Sequence, residues 1–220
     1  SRPNSAVISD INSRLINTYV VVRDRVDDLI KELTLHSKRN DATYYTKVRL
    51  RFNADAELTS DSALLRQAAA FIYLNKTCFN GLFRENSKGE FNVPFGKYAK
   101  PSILDECNLR LCSAALQGVR ILHQSFVDID IVSNGFYYLD PPYDQTFTSY
   151  DSQGFSTELQ VRLAATCYSI DAAGGKFMLS NSDTEFIRRL YSRFNIETVA
   201  ASRLVACKSA SRGKVTELIV

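Results

Sequence analysis

Four consecutive residues, Asp140-Pro141-Pro142-Tyr143, combine groups that suit the binding of an amino group on an aromatic ring. The Asp140 carboxylate and the Pro141 carbonyl are two acceptors for the two N–H bonds of such an amino group. Tyr143 adds a flat surface on which the ring can stack. A simpler interpretation is a proline-rich turn in which Asp140 caps a helix. Because all four residues directly follow an apolar run, the amino-group site is favoured.

The apolar run is Phe136-Tyr137-Tyr138-Leu139, and it predicts a buried strand. The two prolines after it cannot donate ladder hydrogen bonds, so the strand must end there. In an open α/β sheet, ligands bind outside the carboxyl ends of the strands. The pattern therefore predicts a binding site at the tip of this strand.

Apolar strands alternate with helical patterns along most of the chain, which predicts a mostly parallel sheet with helices on both faces. Strands are predicted over 6–8, 119–124, 136–139, 176–180, 196–201 and 216–220, and the main helices over 12–22, 61–74, 105–116, 157–173 and 184–194. The last two strands are joined by a basic loop with little room for a helix. We therefore expect that pair to be antiparallel.

The stretch 36–104 breaks the alternation and is predicted to be an inserted, mainly helical domain. Near its end, two extended arms flank an Asn…Gly turn, a pattern typical of a hairpin or a structured loop. The first arm contains Phe79-Asn80-Gly81-Leu82-Phe83-Arg84, and the second contains Phe91-Asn92-Val93-Pro94-Phe95-Gly96.

The composition is that of an ordinary globular protein of one or two domains, with 220 residues, 45% hydrophobic and 23% charged. No apolar stretch is long enough to span a bilayer, so a membrane is not an expected partner. The cysteines form no Cys-x-x-Cys pair and are expected to be reduced core thiols of a cytosolic protein. They are Cys78, Cys107, Cys112, Cys167 and Cys207. The two histidines lie far apart, which argues against a metal site, and His123 is expected to be a hydrogen-bonded sheet residue.

The net charge of +3 alone does not indicate nucleic acid, but the basic residues are clustered. One cluster is Lys38, Arg39, Lys47, Arg49 and Arg51, and the other is Arg203, Lys208, Arg212 and Lys214. Such clusters can neutralise phosphates, and they can equally be a solvated helix face and a solvated loop.

Several segments together resemble the Dam-type DNA adenine-N6 methyltransferases, in order and spacing and over nearly the whole chain. They are Ser9-Asp10-Ile11-Asn12, the segment 75–84, Gly89-Glu90-Phe91-Asn92-Val93-Pro94-Phe95-Gly96-Lys97-Tyr98, Asp140-Pro141-Pro142-Tyr143, the segment 179–184 and the tail 212–218. The part from 80 to 98 is the most specific, because Asp-Pro-Pro-Tyr alone is shared by many amino-methylating enzymes. The resemblance implies an α/β fold with a Rossmann-like methyltransferase sheet. The catalytic domain would comprise 1–35 and 105–220, and 36–104 would be the target-recognition domain.

The resemblance also implies S-adenosyl-L-methionine as methyl donor, S-adenosyl-L-homocysteine as product and no metal. The partner would be double-stranded DNA with a short palindromic target, typically G-A-T-C. The protein would be a monomer in the cytoplasm, associated with the nucleoid through DNA. The catalytic residues would be Asp140, Pro141, Pro142 and Tyr143, acting on a flipped-out adenine. The residues that hold the cofactor would be Asp10, Asp128 and Asp140, with Asp130 close to Asp128 in the sequence.

In the inserted segment, the resemblance makes Phe79 a wedge that fills the space left by the flipped base. The residues that would contact target bases or backbone are Asn80, Leu82, Arg84, Pro94 and Tyr98. Arg84 suits bidentate recognition of guanine O6 and N7, and a phosphate contact or a surface charge is the alternative. Phe79 could instead pack under the hairpin, Asn80 could simply form a turn, and Asp10 could be a helix N-cap.

One family feature, an aromatic-x-Gly-x-Gly cofactor loop ahead of the acidic residue, has no counterpart here, since no glycine precedes Gly81. Either the chain is a fragment of a longer protein or its cofactor site is incomplete, and we expect a fragment. A different class of function is a non-catalytic DNA-binding relic. A third possibility keeps the chemistry and changes the acceptor to cytosine N4, an RNA adenine or a protein glutamine amide.

Overall fold

The computed structural model describes residues 3–54, 60–144, 155–202 and 214–220, with the side chains of 201, 202, 214 and 215 left aside. The described residues form two compact units, Ser1–Ser125 and Phe126–Val220. Both units mix helices with a small sheet, so the predicted α/β class is confirmed.

The first unit contains a two-stranded parallel sheet and five helices. The strands are β1 (Val7–Asp10) and β2 (Arg120–His123), and the helices are α1 (Ser13–Asp24), α2 (Val26–Arg39), α3 (Ala42–Ala54), α4 (Asp61–Thr77) and α5 (Glu106–Leu116). Helix α4 packs against α1, α2 and α3. Its Ala68 and Ala69 are fully buried, and these small side chains let the other helices approach closely around Tyr73.

The second unit contains a four-stranded mixed sheet and two helices. The strands are β3 (Phe136–Leu139), β4 (Lys176–Ser182), β5 (Glu197–Ser202) and β6 (Lys214–Ile219), and the helices are α6 (Thr157–Ala172) and α7 (Glu185–Leu190). The sheet order is β3-β4-β6-β5, with β3 parallel to β4 and with β6 antiparallel to both of its neighbours. Leu163 of α6 and Leu179 of β4 belong to the core that joins helix and sheet.

The predicted antiparallel pair at the end of the chain is confirmed as β5 and β6, and β3 has the bounds that its apolar run predicted. The prediction that β3 is buried is wrong, since Phe136 and Tyr138 on one face of it are 66% and 62% exposed. Three further details differ. The six strands lie in two sheets, and only one of these is wholly parallel. Helix α7 ends at Leu190, earlier than the 184–194 pattern suggested, because a turn follows at Tyr191. Helix α3 lies in the stretch 36–70, which the sequence predicted to be first polar and then helical, without bounds for a helix before 61.

The cysteine prediction is confirmed in part. Cys78 and Cys167 are buried free thiols, whereas Cys107 and Cys112 lie on the exposed face of α5, so the expectation of core thiols is wrong for these two. Cys207 lies outside the described residues. His123 ends β2, and its Nε2 lies 2.9 Å from the Ile11 carbonyl oxygen. The prediction that His123 is a hydrogen-bonded sheet residue is therefore confirmed.

Two kinds of feature are absent from the described part of the chain. It contains no helix long and apolar enough to cross a membrane. It also contains no group of three or more His, Cys, Asp or Glu side chains that could hold a metal ion.

Candidate functional site

The Asp140-Pro141-Pro142-Tyr143 turn begins where β3 ends, at the carboxyl end of a strand in the second unit. The Asp140 side chain is exposed, and its Oδ1 accepts a hydrogen bond of 2.9 Å from Ser180 Oγ. Because Ser180 belongs to the neighbouring strand β4, the sheet itself orients the carboxylate. The turn therefore presents a directed acceptor to solvent at the sheet edge where ligands bind.

Two buried amide side chains hold this turn from behind. Gln160 Nε2 donates to the Pro142 carbonyl oxygen at 3.1 Å, and Gln160 Oε1 accepts from Asn181 Nδ2 at 3.1 Å. Asn181 Oδ1 in turn accepts from the Asp144 backbone N–H at 2.9 Å. The two amides are 1% and 0% exposed, so these hydrogen bonds form away from water. A further bond, from Thr184 Oγ1 to Asp144 Oδ2, holds the downstream end of the turn.

Sequence reasoning gave neither amide a role, although the signal for Gln160 was present. Gln160 shares a helix face with the buried residues Leu163, Ala164 and Cys167, at spacings of three, four and seven residues. A glutamine in such an apolar stripe must find hydrogen-bond partners inside the protein. Its partners could not be deduced, because they are distant in the sequence.

The Tyr143 side chain is half-buried, and its hydroxyl donates to Glu217 Oε2 of β6 at 3.3 Å. Burial raises the pKa of Tyr143, and a hydrogen bond with Ser180 opposes that shift. The phenol is therefore neutral at neutral pH, and its ring is anchored at the hydroxyl end. Ser180 and Glu217 thus connect the turn to two strands of the sheet.

The two other predicted cofactor carboxylates lie at ends of short elements. Asp128 is exposed at the end of a 3-10 turn, Phe126–Asp128. Asp10 ends β1, and its Oδ1 accepts from the Asn12 backbone N–H at 2.7 Å. The alternative that Asp10 caps the next helix is wrong, because Asn12 Oδ1 caps α1 by accepting from the N–H groups of Arg14 and Leu15.

In the first unit, the segment 78–98 is a structured loop and not a regular hairpin. Two isolated antiparallel bridges close it, between Cys78 and Phe95 and between Glu85 and Phe91. Pro94 explains why a longer ladder does not form. Its carbonyl oxygen accepts a hydrogen bond from Phe79 N–H at 2.8 Å, but proline has no N–H to donate in return. We call this segment the 78–98 loop.

Helix α3 supports the 78–98 loop through side chains one turn apart. The Tyr45 hydroxyl and Arg49 Nη1 both donate to the Val93 carbonyl oxygen, at 2.8 and 3.1 Å. Asn53 makes two hydrogen bonds to the backbone of Phe91, one through its Nδ2 and one through its Oδ1. The spacing of four residues places all three on one face of the helix. The sequence did not reveal this support, because it links positions about forty residues apart.

The predicted contact residues occupy different positions on the 78–98 loop. Phe79 and Tyr98 are each 43% exposed. Asn80 adopts a left-handed φ of 56°, and its Nδ2 is buried without a hydrogen-bond partner among the described residues. Arg84 is oriented by a 2.7 Å hydrogen bond from its Nε to Asn92 Oδ1. A buried donor without a partner among the described residues is unusual, because most buried polar groups are hydrogen-bonded.

Leu82 and Pro94 complete the predicted set, the first half-buried and the second exposed. Gly96 anchors the end of the loop through its N–H, which donates to the Thr77 carbonyl oxygen at 2.8 Å. A Cβ atom at this position would lie 2.6 Å from the Cys78 carbonyl oxygen, so only glycine fits. The second basic cluster, 203–214, lies outside the residues whose side chains are described.

Comparison with known proteins gives a consistent picture. The sequence profile of the D12 class N6 adenine-specific DNA methyltransferase family matches residues 1–205. The chain is 42% identical to the type II methyltransferase M.MjaIII of Methanocaldococcus jannaschii, with 94% of this chain and 75% of the relative covered. It is 40% identical to the type II methyltransferase M1.LlaDCHI of Lactococcus lactis subsp. cremoris, with 99% and 79% covered. It is also 32% identical to the DNA adenine methylase of Escherichia coli (strain K12), with 97% and 77% covered.

Proposed function

Since the chain belongs to the D12 class of N6 adenine-specific DNA methyltransferases, we propose that it methylates adenine N6 within a short palindromic site of duplex DNA. The methyl donor is S-adenosyl-L-methionine and the site is G-A-T-C, as the resemblance to Dam-type enzymes implies. The observation that carries the proposal is the structure of the Asp140 turn. Ser180 orients the Asp140 carboxylate, and Gln160 and Asn181 hold the backbone of the turn.

Asp140 and Pro141 act on the target amino group. The N6 lone pair is delocalised into the purine ring, and this makes the nitrogen a poor nucleophile. Two acceptors, the carboxylate and the Pro141 carbonyl, align with its N–H bonds, favour a more tetrahedral nitrogen and stabilise the positive charge that develops on it. No strong base is required, and the proton leaves after the methyl group has been transferred.

Positioning supplies most of the remaining rate acceleration. Tyr143 stacks on the base, and its bond to Glu217 limits how the ring can turn. The residues that would hold the cofactor are Asp10, Asp128 and Asp140, because carboxylates at or beyond strand ends suit ribose hydroxyls and polar groups of a nucleoside. When bound, the cofactor supplies an activated methyl group on a sulfonium.

The adenine must leave the duplex before it reaches Asp140, because its amino group is otherwise paired. Phe79 is proposed to fill the space left in the base stack, in keeping with its 43% exposure. Asn80, Leu82, Arg84, Pro94 and Tyr98 are proposed to contact the surrounding bases and backbone.

The proposed architecture is a Rossmann-like catalytic domain formed by 1–35 and 105–220, with 36–104 as the target-recognition domain. The parallel pairs β1–β2 and β3–β4 support it, because parallel strands are the basis of that fold. The protein is proposed to act as a monomer on double-stranded DNA in the cytoplasm.

A direct assay tests the function. The full-length protein is incubated with labelled S-adenosylmethionine and duplexes that contain one G-A-T-C site, and the modified nucleoside is identified after digestion. We expect N6-methyladenine in the site. Binding of the duplex without any transfer would indicate a DNA-binding relic. Label on cytosine N4, on RNA or on a glutamine amide would replace adenine as the acceptor.

Recognition of the site should depend on Arg84. If Arg84 bonds to guanine O6 and N7, the change Arg84→Ala should reduce discrimination at one base pair by about 1–3 kcal/mol. The measurement is competition between matched duplexes and duplexes with one altered base pair. Lys88→Ala is the matched control, because Lys88 is an exposed cation on the same loop. A loss of affinity that is equal for all duplexes in the Arg84 variant would make Arg84 a phosphate contact and remove its role in specificity.

A further inference from the structure

A cationic cleft lies in the first unit between α2, α3 and α4, and it has a volume of about 260 Å³. Four of the side chains that line it are basic, and they come from all three helices. They are Arg39 of α2, Lys47 and Arg51 of α3, and Arg66 of α4. Glu32 is the single carboxylate among the described residues that line the cleft. The cleft thus concentrates positive charge in a concave site.

Within the part of the chain that the structure describes, Arg39, Lys47 and Arg66 form no ion pair. The Nε of Arg66 is also buried and has no hydrogen-bond partner among those residues. A buried guanidinium donor that lacks an acceptor carries an uncompensated desolvation penalty. An anion that enters the cleft would remove that penalty and would neutralise several cations at once.

His36 and Tyr44 form an aromatic wall of the same cleft. The Tyr44 hydroxyl lies 3.0 Å from His36 Nδ1, and the His36 ring stacks on Tyr73 with centroids 4.7 Å apart. Burial, and after it the charge of Arg39, lowers the pKa of His36 to about 4. The ring is therefore neutral at neutral pH, and the positive field of the cleft comes from the arginines and the lysine.

We propose that this cleft binds a phosphate ester. Cations from three helices converge on one volume, and a phosphate can offer acceptor oxygens in several directions, whereas a carboxylate offers two oxygens in one plane. The volume accommodates the phosphate together with an attached sugar. The same group is present in the backbone of duplex DNA and in a free nucleotide. The proposal does not depend on methyl transfer.

The residues of α3 that line the cleft differ from those that support the 78–98 loop. Tyr45, Arg49 and Asn53 of α3 bond to that loop, whereas Tyr44, Lys47 and Arg51 line the cleft. The two sets alternate along the helix and therefore occupy different faces of it. If the phosphate belongs to DNA, it belongs to a part of the duplex other than the base pairs that the loop contacts.

Calorimetric titration of the full-length protein with inorganic phosphate and with adenosine monophosphate tests the site. We expect both ligands to bind, and Arg66→Met to weaken both by about tenfold or more. Lys47→Met is a second variant, since Lys47 is exposed and its replacement leaves the helix core intact. Lys31→Met is the matched control, because Lys31 lies on α2, is 74% exposed and pairs with Asp28. Thermal melting of each variant verifies that it is folded.

Duplex binding identifies the source of the phosphate. If DNA supplies it, adenosine monophosphate competes with the duplex, and Arg66→Met weakens all duplexes alike and lowers the salt slope by about one unit. If a free nucleotide supplies it, the nucleotide binds without competition. Both results support the cleft as a phosphate site. Equal binding of phosphate, nucleotide and duplex by the wild type, Arg66→Met and Lys47→Met would overturn it, whatever the methylation assay gives.

Discussion

Replacement of Asp140 by alanine should abolish methyl transfer to adenine and leave duplex binding nearly unchanged. The carboxylate is proposed to act on the flipped base and not on phosphates, so its loss removes charge stabilisation at the reacting nitrogen. A loss of such a preorganised group commonly lowers the turnover number by about 100-fold or more. The folded state should tolerate the change, because Asp140 is exposed and gives up one hydrogen bond, that with Ser180.

Single-turnover methylation and equilibrium duplex binding, measured on the same preparation, separate the two effects. Asp171→Ala is the matched control, because Asp171 is also an exposed aspartate of the second unit and lies on α6. Near-normal turnover by the Asp140 variant would eliminate the proposed mechanism. An equally large fall in duplex affinity would mean that Asp140 serves binding and not the chemical step.

The change Gln160→Leu should lower both stability and turnover. Leucine removes the donor to the Pro142 carbonyl and the acceptor for Asn181 Nδ2, and each buried group left unpaired costs about 1–3 kcal/mol. The turn that carries Asp140 then loses its support. We expect the turnover number, measured per folded molecule, to fall by about tenfold, with little change in duplex affinity.

A variant that is matched in stability shows whether the effect on turnover is specific. Leu163→Ala lies one turn away on α6, is 1% exposed and should cost about 2–5 kcal/mol without touching the turn. Chemical denaturation gives the stability of both variants, and rapid-quench kinetics give the rate of the chemical step. If the two variants lose turnover equally, Gln160 is a core residue and does not position the turn.

The sequence was most informative where consecutive residues determine the local structure. Four apolar residues, followed by an aspartate and two prolines, specify both a strand and its end, and the structure places β3 at the apolar residues. The Asn12 cap of α1 shows the limit of such reasoning. Asp10 and Asn12 both suit an N-cap, and only the backbone path decides between them.

The supporting residues could not be predicted, because they depend on packing between elements that are distant in the sequence. Gln160 reaches Pro142 only because α6 packs on β4, and Asn53 reaches Phe91 only because α3 lies against the 78–98 loop. The pattern of the loop also favoured a hairpin as strongly as a structured loop. Pro94 decided the outcome, since its missing N–H prevents a continuous ladder.

Gly96 has a consequence for the laboratory evolution of new target preferences. The positions of Asn80, Leu82 and Arg84 depend on the path of the loop backbone. That path requires a glycine at position 96, because a Cβ atom there would lie 2.6 Å from the Cys78 carbonyl oxygen. A saturation library that includes position 96 would therefore consist mostly of misfolded clones, whereas one confined to 82 and 84 would vary two of the proposed contact residues on an unchanged backbone. Position 80 is less suitable, because Asn80 has a left-handed φ of 56° that most side chains rarely adopt.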